Sequence, residues 1–251
     1  FKIKQVHSKL QESTKLGWLR GGNSGCITAD GKILGIDPRT SVLRALGIQS
    51  DSTFDDDLLF QAGHLNEDGI AEYLSMAGIK HQREEECQIQ WECTVGQEDI
   101  DSLTELGLLP DGCIAGGKTS VSGRPDFKLK GYDNGKDVGI ELKGIFGTST
   151  LMEVSNFIGG VPKTENVCQA AHYSWQSNKV KWILQYVNRS WHTVMYYGLK
   201  RFPHEHRAIR RDDKGKPIVV SPCMSLYELS WDGDTLLIDG QPSLVTASGI
   251  E

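Results

Sequence analysis

Apolar residues recur at helical spacing between residues 53 and 77, which predicts an amphipathic helix. Thr53 and Asp56 form a start that resembles a capping box, and Gly78 is a natural stop. Six residues at this spacing make the stripe that we expect to face the core: Leu58, Ala62, Leu65, Gly69, Tyr73 and Ala77.

β-favouring runs with alternating or mainly apolar residues predict strands over 82–95, 112–129, 137–146 and 179–188. A second helix is predicted over 163–177, after a loop rich in glycine. The last strand is expected to form a hairpin with 191–202, turning at Arg189 and Ser190. Another hairpin is expected to turn at Asp232 and Gly233.

The order helix, three strands, helix, strand predicts an α/β core with a mixed central sheet flanked by helices. We interpret residues 1–251 as one domain. Its core spans about 53–200, between an N-terminal arm (1–52) and a β-rich C-terminal extension (201–251).

Composition is that of a folded domain, with 38% hydrophobic and 8% aromatic residues in 251. No apolar stretch is long enough for a transmembrane helix, and the first residues lack the hydrophobic core of a signal peptide. We therefore expect no membrane partner and a location in the cytoplasm of a bacterium or a phage-infected host. The six cysteines are scattered without a C-x2-C pair, which favours reduced thiols.

Candidate chemistry lies on two of the predicted strands. Asp126 follows Gly-Arg-Pro, and Glu141 and Lys143 are two residues apart on the next strand. Because side chains alternate along a strand, Glu141 and Lys143 should project together while Leu142 points into the core. A neighbouring strand can bring Asp126 beside them. Two carboxylates form a hard oxygen site for Mg2+ or Mn2+, and the nearby ammonium suits metal-assisted hydrolysis of a phosphodiester.

The arrangement PD-x14-ExK, a helical Gln169-x-x-x-Tyr173 and an upstream Gly63-His64-x-x-Glu67 occur in that order. Together they resemble the PD-(D/E)XK nuclease superfamily, specifically its RecB-like branch, which includes phage recombination exonucleases. The resemblance covers about residues 57–187. It implies a restriction-endonuclease-like core and a metal-dependent deoxyribonuclease.

The same resemblance implies the roles of the site residues. Asp126 and Glu141 would hold one or two Mg2+ or Mn2+ ions, with the main-chain carbonyl of Leu142. Glu67 would act as an acidic ligand and His64 as a further one. Lys143 would orient the attacking water. Taken alone, Glu67 would be read as a surface residue of an amphipathic helix.

In this family interpretation the second helix contacts DNA or orients the lysine of the ExK strand. Gln169, Tyr173 and His172 are then DNA-binding candidates, together with Arg124 beside the metal site. The alternative is an ordinary amphipathic helix, and both can hold together because the helix has its own core stripe: Val167, Ala171 and Trp175.

A literal phosphate-loop pattern, G-x4-G-K-T, ends at Lys118 and Thr119. That loop needs a helix after it, whereas the following residues are β-favouring and include Pro125. We therefore interpret this segment as the strand that delivers Asp126, and expect no ATP. A single cysteine, Cys223, follows the second helix, so we expect no iron–sulfur cluster.

The net charge of −6 is tolerable for a metallonuclease, since metal neutralises the acidic groups at the site. The acidic runs 55–57 and 84–86 are expected to be solvated. The sequence thus predicts an exonuclease acting on single- or double-stranded DNA ends, with a homo-oligomer or a single-strand annealing protein as possible partners. Two alternatives stay open: a dimeric endonuclease of restriction or junction-resolving type, and a nucleotide-binding or non-catalytic DNA-binding module.

Overall fold

The computed structural model describes residues 19–20, 25–28, 30–35, 54–94, 96–105, 116, 118–145, 153–155, 160–188 and 224–250. Three helices of eight or more residues lie in these ranges: α1 (Phe54–Met76), α2 (Gln97–Glu105) and α3 (Thr164–Gln176). The strands are β1 (Leu19–Arg20), β2 (Gly25–Ile27), β3 (Ile33–Gly35), β4 (His81–Arg83), β5 (Ile89–Thr94), β6 (Lys118–Gly123), β7 (Phe127–Asp133), β8 (Lys136–Ile145), β9 (Trp182–Asn188), β10 (Met224–Asp232), β11 (Thr235–Ile238) and β12 (Gln241–Thr246).

A seven-stranded mixed sheet in the order β12-β11-β10-β9-β8-β7-β4 organises the fold. β8 and β9 are parallel, and the remaining pairs are antiparallel. α3 connects the two parallel strands, as a crossover between parallel neighbours requires. The predicted α/β fold with a mixed sheet is confirmed.

The sheet carries a hydrophobic cluster on each of its two faces. Val138, Ile140 and Leu142 of β8 pack with Ala71 of α1 on one face. On the other face Ile145 packs with α3 and with the aromatic rings of β9. The alternation along β8 therefore turns Glu141 and Lys143 towards α3.

Several predicted elements are confirmed within the described residues. α1 and α3 match the two predicted helices to within a residue at each end. Gly78 after α1 has φ 70°, the left-handed conformation of a helix stop. β10 and β11 pair as the predicted hairpin, with Asp232 opposite Thr235. β10 to β12 extend the central sheet beyond β9.

The predicted core stripe of α1 is wrong at three of its six positions, and the side chain of Leu58 lies outside the described residues. Leu65 and Tyr73 are 72% and 69% exposed, and Ala77 is also exposed. The face that contacts the sheet instead carries Ala71 with Ile70 and Leu74. Which face of α1 is buried is therefore set by its packing against the sheet.

Two predicted strands each divide into two. The run 82–95 contains β4, a 3-10 turn at Glu84–Cys87 and then β5. The run 112–129 contains β6 and β7, which lie in different sheets on either side of Pro125. Proline cannot donate a ladder hydrogen bond, so it separates strands.

The predicted hairpin through Arg189 and Ser190 and most of the arm 1–52 lie outside the described residues. Of the helices that are described, none combines the length and apolar character needed to span a bilayer.

Candidate metal and hydrolytic site

The β7–β8 hairpin brings the two predicted carboxylates together. Its turn has Asn134 and Gly135 at φ 51° and 85°, as a tight two-residue hairpin turn requires. After an irregularity beyond Leu129, the strands pair with Phe127 opposite Ile140. One residue further along this register, Asp126 comes opposite Glu141.

Asp126 is fixed by the backbone of the facing strand. Its Oδ2 accepts a hydrogen bond from the main-chain N–H of Leu142. Leu142 itself is buried in the core on the α1 face, as expected. The N–H of Leu142 therefore orients Asp126, while a role for the carbonyl of Leu142 as a metal ligand stays a prediction.

Glu141 and Lys143 project together from β8, as predicted. Lys143 Nζ lies 2.6 Å from Glu141 Oε1. Glu141 is 1% exposed, and its second oxygen, Oε2, has no hydrogen-bond partner within the part of the chain that the structure describes. A buried carboxylate oxygen without a partner is costly, so this atom is available to accept a hydrogen bond or to bind a cation.

The electrostatics of the three groups are coupled. Burial, and then the charge of Glu141, raise the pKa of Asp126 well above its ordinary value. Burial also raises the pKa of Glu141, although Lys143 opposes this. Burial would lower the pKa of Lys143, but the two carboxylates outweigh it and raise that pKa. Lys143 is therefore protonated at neutral pH.

These residues fit a divalent cation. Carboxylate oxygens are the ligands that Mg2+ and Mn2+ prefer, and a cation beside Asp126 and Glu141 would relieve their mutual repulsion. It would also give the orphaned Oε2 of Glu141 a partner. The donor set and the buried unsatisfied oxygen thus agree with the metal that the sequence predicts.

α1 presents two further candidates to the same region. His64 Nδ1 lies 3.2 Å from Glu67 Oε2, and the Glu67 side chain is 13% exposed. The charge of Glu67 contributes to raising the pKa of both Asp126 and Glu141. The charge of Glu67 therefore reaches both strand carboxylates, while its role as a metal ligand stays a prediction.

Glu84 belongs to this region and was missed, because the run 84–86 was expected to be solvated. Glu86 is exposed as expected, but Glu84 is half-buried. Burial and the charge of Glu67 raise the pKa of Glu84. Its carboxylate, with His64 and Glu67, offers ligand atoms within 4.8 Å of one another. The sequence of a glutamate run does not indicate which of its members turns inward. Here the 3-10 turn Glu84–Cys87 sets the orientation of Glu84.

α3 positions the lysine. Gln169 Oε1 accepts a hydrogen bond from Lys143 Nζ at 3.0 Å, and Gln169 Nε2 donates to the hydroxyl of Tyr173 at 3.3 Å. Gln169 and Tyr173 thus share one helix face, as their spacing predicts, and link α3 to Lys143.

Two DNA-binding candidates are placed differently from the prediction. Tyr173 is 2% exposed and belongs to the core, so a base cannot stack on its ring in this structure. His172 is 7% exposed and its Nε2 lies 3.0 Å from the carbonyl of Gly25 in β2. Both residues occupy positions of α3 that face the protein interior. Arg124, by contrast, is exposed beside the site.

The core stripe of α3 forms as expected. Val167 and Ala171 are buried, and the ring of Trp175 packs edge-on against Trp231, with centroids 5.2 Å apart. The alternative interpretation of this helix as an amphipathic core element is therefore correct, and it coexists with the contact between Gln169 and Lys143.

The phosphate-loop pattern ends in a strand. Lys118 and Thr119 begin β6, which pairs antiparallel with β5 and parallel with β1. A phosphate loop needs a helix N-terminus at this point, and β6 provides none. The strand interpretation of Lys118–Gly123 is confirmed.

No family model matches this sequence, and no curated protein matches it. Among solved structures, the fold is similar to the crystal structure of SSO0001, with a TM-score of 0.44 and 19% sequence identity. That match covers 74% of this chain and 70% of the other. The chemistry of the site therefore has to be inferred from its own residues.

Proposed function

We propose that this protein is a nuclease that uses Mg2+ or Mn2+ to hydrolyse DNA phosphodiester bonds. The observation that carries the proposal is the juxtaposition of Asp126, Glu141 and Lys143, with a buried oxygen of Glu141 left unsatisfied among the described residues. Two carboxylates with one ammonium suit a cation and an anionic phosphate at the same place.

Asp126 and Glu141 would hold the ion, with Glu67 and His64 close by. When bound, the ion would polarise the phosphate and lower the pKa of a water molecule. The N–H of Leu142 keeps Asp126 in place. The repulsion between the carboxylates makes the site prefer a cation to an empty state.

Lys143 supplies the remaining positive charge. Its ammonium is held between Glu141 and Gln169, at 2.6 and 3.0 Å. A fixed cation in a partly dehydrated site stabilises charge that develops on a phosphate oxygen, because it needs little reorganisation during the reaction. Lys143 can also orient the attacking water through its third N–H.

The choice of DNA ends as substrate comes from the resemblance to RecB-like exonucleases. That resemblance is carried by seven residues of the three motifs: His64, Glu67, Asp126, Glu141, Lys143, Gln169 and Tyr173. Exposed Arg124 beside the site is available for a backbone phosphate of the substrate. The negative net charge of the chain is compatible with an enzyme that must release its product.

The test uses end-labelled linear single-stranded and double-stranded DNA and closed circular DNA, with Mg2+, Mn2+ or EDTA. We expect cleavage of the linear substrates from their ends, dependence on either metal, and loss of cleavage in Glu141→Gln. Glu86→Gln is the matched control, since Glu86 is exposed, and should cleave normally.

Undiminished cleavage in EDTA would contradict the proposal. Cleavage of closed circles would replace the exonuclease with an endonuclease of restriction or junction-resolving type. Binding of ATP that Lys118→Ala removes would instead support a nucleotide-binding module.

A further inference from the structure

We propose that Cys26 and Cys168 form an oxidation-sensitive pair, which a small peroxide converts from two thiols into a disulfide. The bond would join β2 to α3, the helix that carries Gln169. Formation of the disulfide can be measured without DNA, whereas its effect on cleavage rests on the proposed function.

The β2–β3 hairpin turns one face towards the core. In its register Cys26 is opposite Leu34, and Ile27 is opposite Ile33. The first pair is buried in the core cluster that contains Cys168, whereas the second pair is 52% and 50% exposed. Side chains alternate along a strand, so the inward face of the hairpin is the one that carries Cys26.

Contacts on both strands of the hairpin hold α3 against this face. His172 Nε2 lies 3.0 Å from the carbonyl of Gly25, the residue before Cys26. One turn earlier on α3, the sulfur of Cys168 packs against β3, since a Cβ on Gly35 would lie 3.1 Å from it. Gly25 and Gly35 are opposite each other, and residues four apart share one helix face. Cys26 therefore faces the turn of α3 that begins at Cys168.

The two thiols act on each other directly. A hydrogen bond with the Cys168 thiol, followed by burial, raises the pKa of Cys26. The same contact lowers the pKa of Cys168, against the effect of its burial. Because the thiolate is the form that reacts, Cys168 is the member of the pair that attacks an oxidant, while Cys26 keeps its proton.

Burial limits the oxidant to a small molecule. Cys26 and Cys168 are 1% and 0% exposed, and both are free thiols. A bulky disulfide such as oxidised glutathione cannot reach either sulfur in the folded protein, whereas hydrogen peroxide is little larger than water. A peroxide is therefore the class of oxidant that fits this pair.

The reaction balances with one hydrogen peroxide. The Cys168 thiolate attacks one oxygen, the O–O bond breaks, and the other oxygen leaves as hydroxide, which takes up a proton to give water. This step leaves a sulfenic acid on Cys168. The sulfur of Cys26 then attacks the sulfenic sulfur, so that the S–S bond forms, the S–O bond breaks, and the thiol proton leaves in a second water. Two thiols are oxidised and one peroxide is reduced.

The disulfide would act on Lys143 through the next residue of α3. Sulfur atoms in a disulfide are about 2.05 Å apart, closer than in a hydrogen bond between thiols, so α3 must move towards β2. Gln169, which follows Cys168, accepts the hydrogen bond of Lys143 Nζ at 3.0 Å. Since a misplacement of about 1 Å can lower a catalytic rate by roughly a hundredfold, oxidation should slow DNA cleavage.

The first experiment treats the full chain with hydrogen peroxide, blocks the remaining thiols and maps disulfides by peptide mass spectrometry. We expect one peptide pair joined through Cys26 and Cys168, which dithiothreitol separates, and no such pair after treatment with oxidised glutathione. In Cys26→Ser the sulfenic acid of Cys168 has no thiol to react with, so dimedone should label it. Cys87→Ser is the matched control, because Cys87 is also a buried free thiol, and it should form the disulfide normally.

The second experiment measures cleavage of single-stranded DNA with Mn2+ after the peroxide has been removed. The oxidised wild type should cleave at least tenfold more slowly than the reduced protein, and dithiothreitol should restore the rate. Cys168→Ser should cleave equally fast with and without the peroxide treatment, and thermal melting confirms that each variant is folded.

Peroxide that joins Cys26 or Cys168 to a different cysteine, or leaves both as thiols, would overturn the pair. A Cys26–Cys168 disulfide with unchanged cleavage would overturn its effect on Lys143. If the disulfide forms and neither the reduced nor the oxidised protein cleaves DNA, the nuclease proposal fails and the pair stands.

Discussion

The ring of Tyr173 occupies the space where a side chain at residue 123 would lie. A Cβ on Gly123 would come within 2.2 Å of Tyr173 Cε1. Gly123 ends β6 three residues before Asp126, and the Tyr173 hydroxyl receives the hydrogen bond of Gln169. The glycine of the Gly-Arg-Pro-Asp segment is thus a packing requirement of the helix that positions Lys143.

Gly123→Ala should therefore displace Tyr173 and disturb the site. Adding an atom to a packed interior that has no space for it typically lowers the free energy of unfolding by about 1–3 kcal/mol. We expect this loss in urea unfolding, together with reduced DNA cleavage, because Gln169 moves with the ring.

Gly69→Ala is the matched control for this substitution. Gly69 lies inside α1, and a Cβ there meets nothing within 4 Å. Alanine in a helix interior is about 0.5–1 kcal/mol more favourable than glycine, so this variant should be slightly more stable. If Gly123→Ala proved as stable as Gly69→Ala, Tyr173 would not be held as described.

Local patterns predicted the carboxylate pair and failed elsewhere for physical reasons. Side-chain alternation predicted that Glu141 and Lys143 project together and that a neighbouring strand can bring Asp126 beside them. The exact pairing could not be predicted, because the register shifts between Leu129 and Asp133.

The inward orientation of Glu84 could not be predicted from the local sequence. The turn that carries it is held by the salt bridge of Arg83 with Asp68 and by the hydrogen bond of Cys87 to the carbonyl of Pro125, both distant in sequence.

Which residues of the helices are buried could not be predicted from the local sequence pattern either. Leu65 and Tyr73 have helical spacing with other apolar residues, yet the sheet covers the face of Ala71 instead. Tyr173 was expected near DNA, but its spacing from Gln169 is equally consistent with a buried ring. Which face of a helix is covered depends on neighbours that the sequence does not specify locally.

Two substitutions of Tyr173 should separate its ring from its hydroxyl. Tyr173→Ala removes a buried aromatic and should lower the free energy of unfolding by about 3–5 kcal/mol. Tyr173→Phe removes only the hydrogen bond to Gln169, which is worth about 0.5–1.5 kcal/mol. Urea unfolding measures both.

Cleavage kinetics test what the hydroxyl does. Tyr173→Phe should bind single-stranded DNA normally and cleave it more slowly, because Gln169 and Lys143 are less well held. A Tyr173→Phe protein with normal stability and cleavage but weak DNA binding would indicate a direct contact with the substrate and contradict the buried role.

The stability of the metal-free protein should depend on pH through Asp126. Burial and the charge of Glu141 raise its pKa in the folded state, so the folded protein binds a proton more tightly than the unfolded chain. The free energy of unfolding should then fall as pH rises from the ordinary Asp pKa of about 3.9 through the raised folded value, and level off above it.

In the Asp126→Asn protein the free energy of unfolding should change less with pH than in the wild type. The measurement is urea unfolding in EDTA across that pH range, taken as the difference between the wild type and the variant so that other titrating groups cancel. Saturating Mn2+ should reverse the trend in the wild type, because metal binding requires the deprotonated carboxylate. A difference that does not vary with pH would show that Asp126 titrates normally.

Lys143 and Glu141 should be strongly coupled in the metal-free protein. Glu141 is 1% exposed and Lys143 Nζ lies 2.6 Å from it. Lys143→Gln should leave the carboxylate buried without its counter-charge, which costs about 3 kcal/mol of stability in comparable pairs. Lys143→Gln combined with Glu141→Gln should recover most of that loss, since two neutral amides need no counter-charge. A double-mutant cycle by urea unfolding at neutral pH in EDTA measures the coupling, and additive effects would contradict it.

The same Lys143→Gln protein should bind Mn2+ at least as tightly as the wild type, because the ion no longer competes with the ammonium for Glu141, yet it should not cleave DNA. Retained metal binding with lost cleavage would separate the role of Lys143 in hydrolysis from any role in holding the metal.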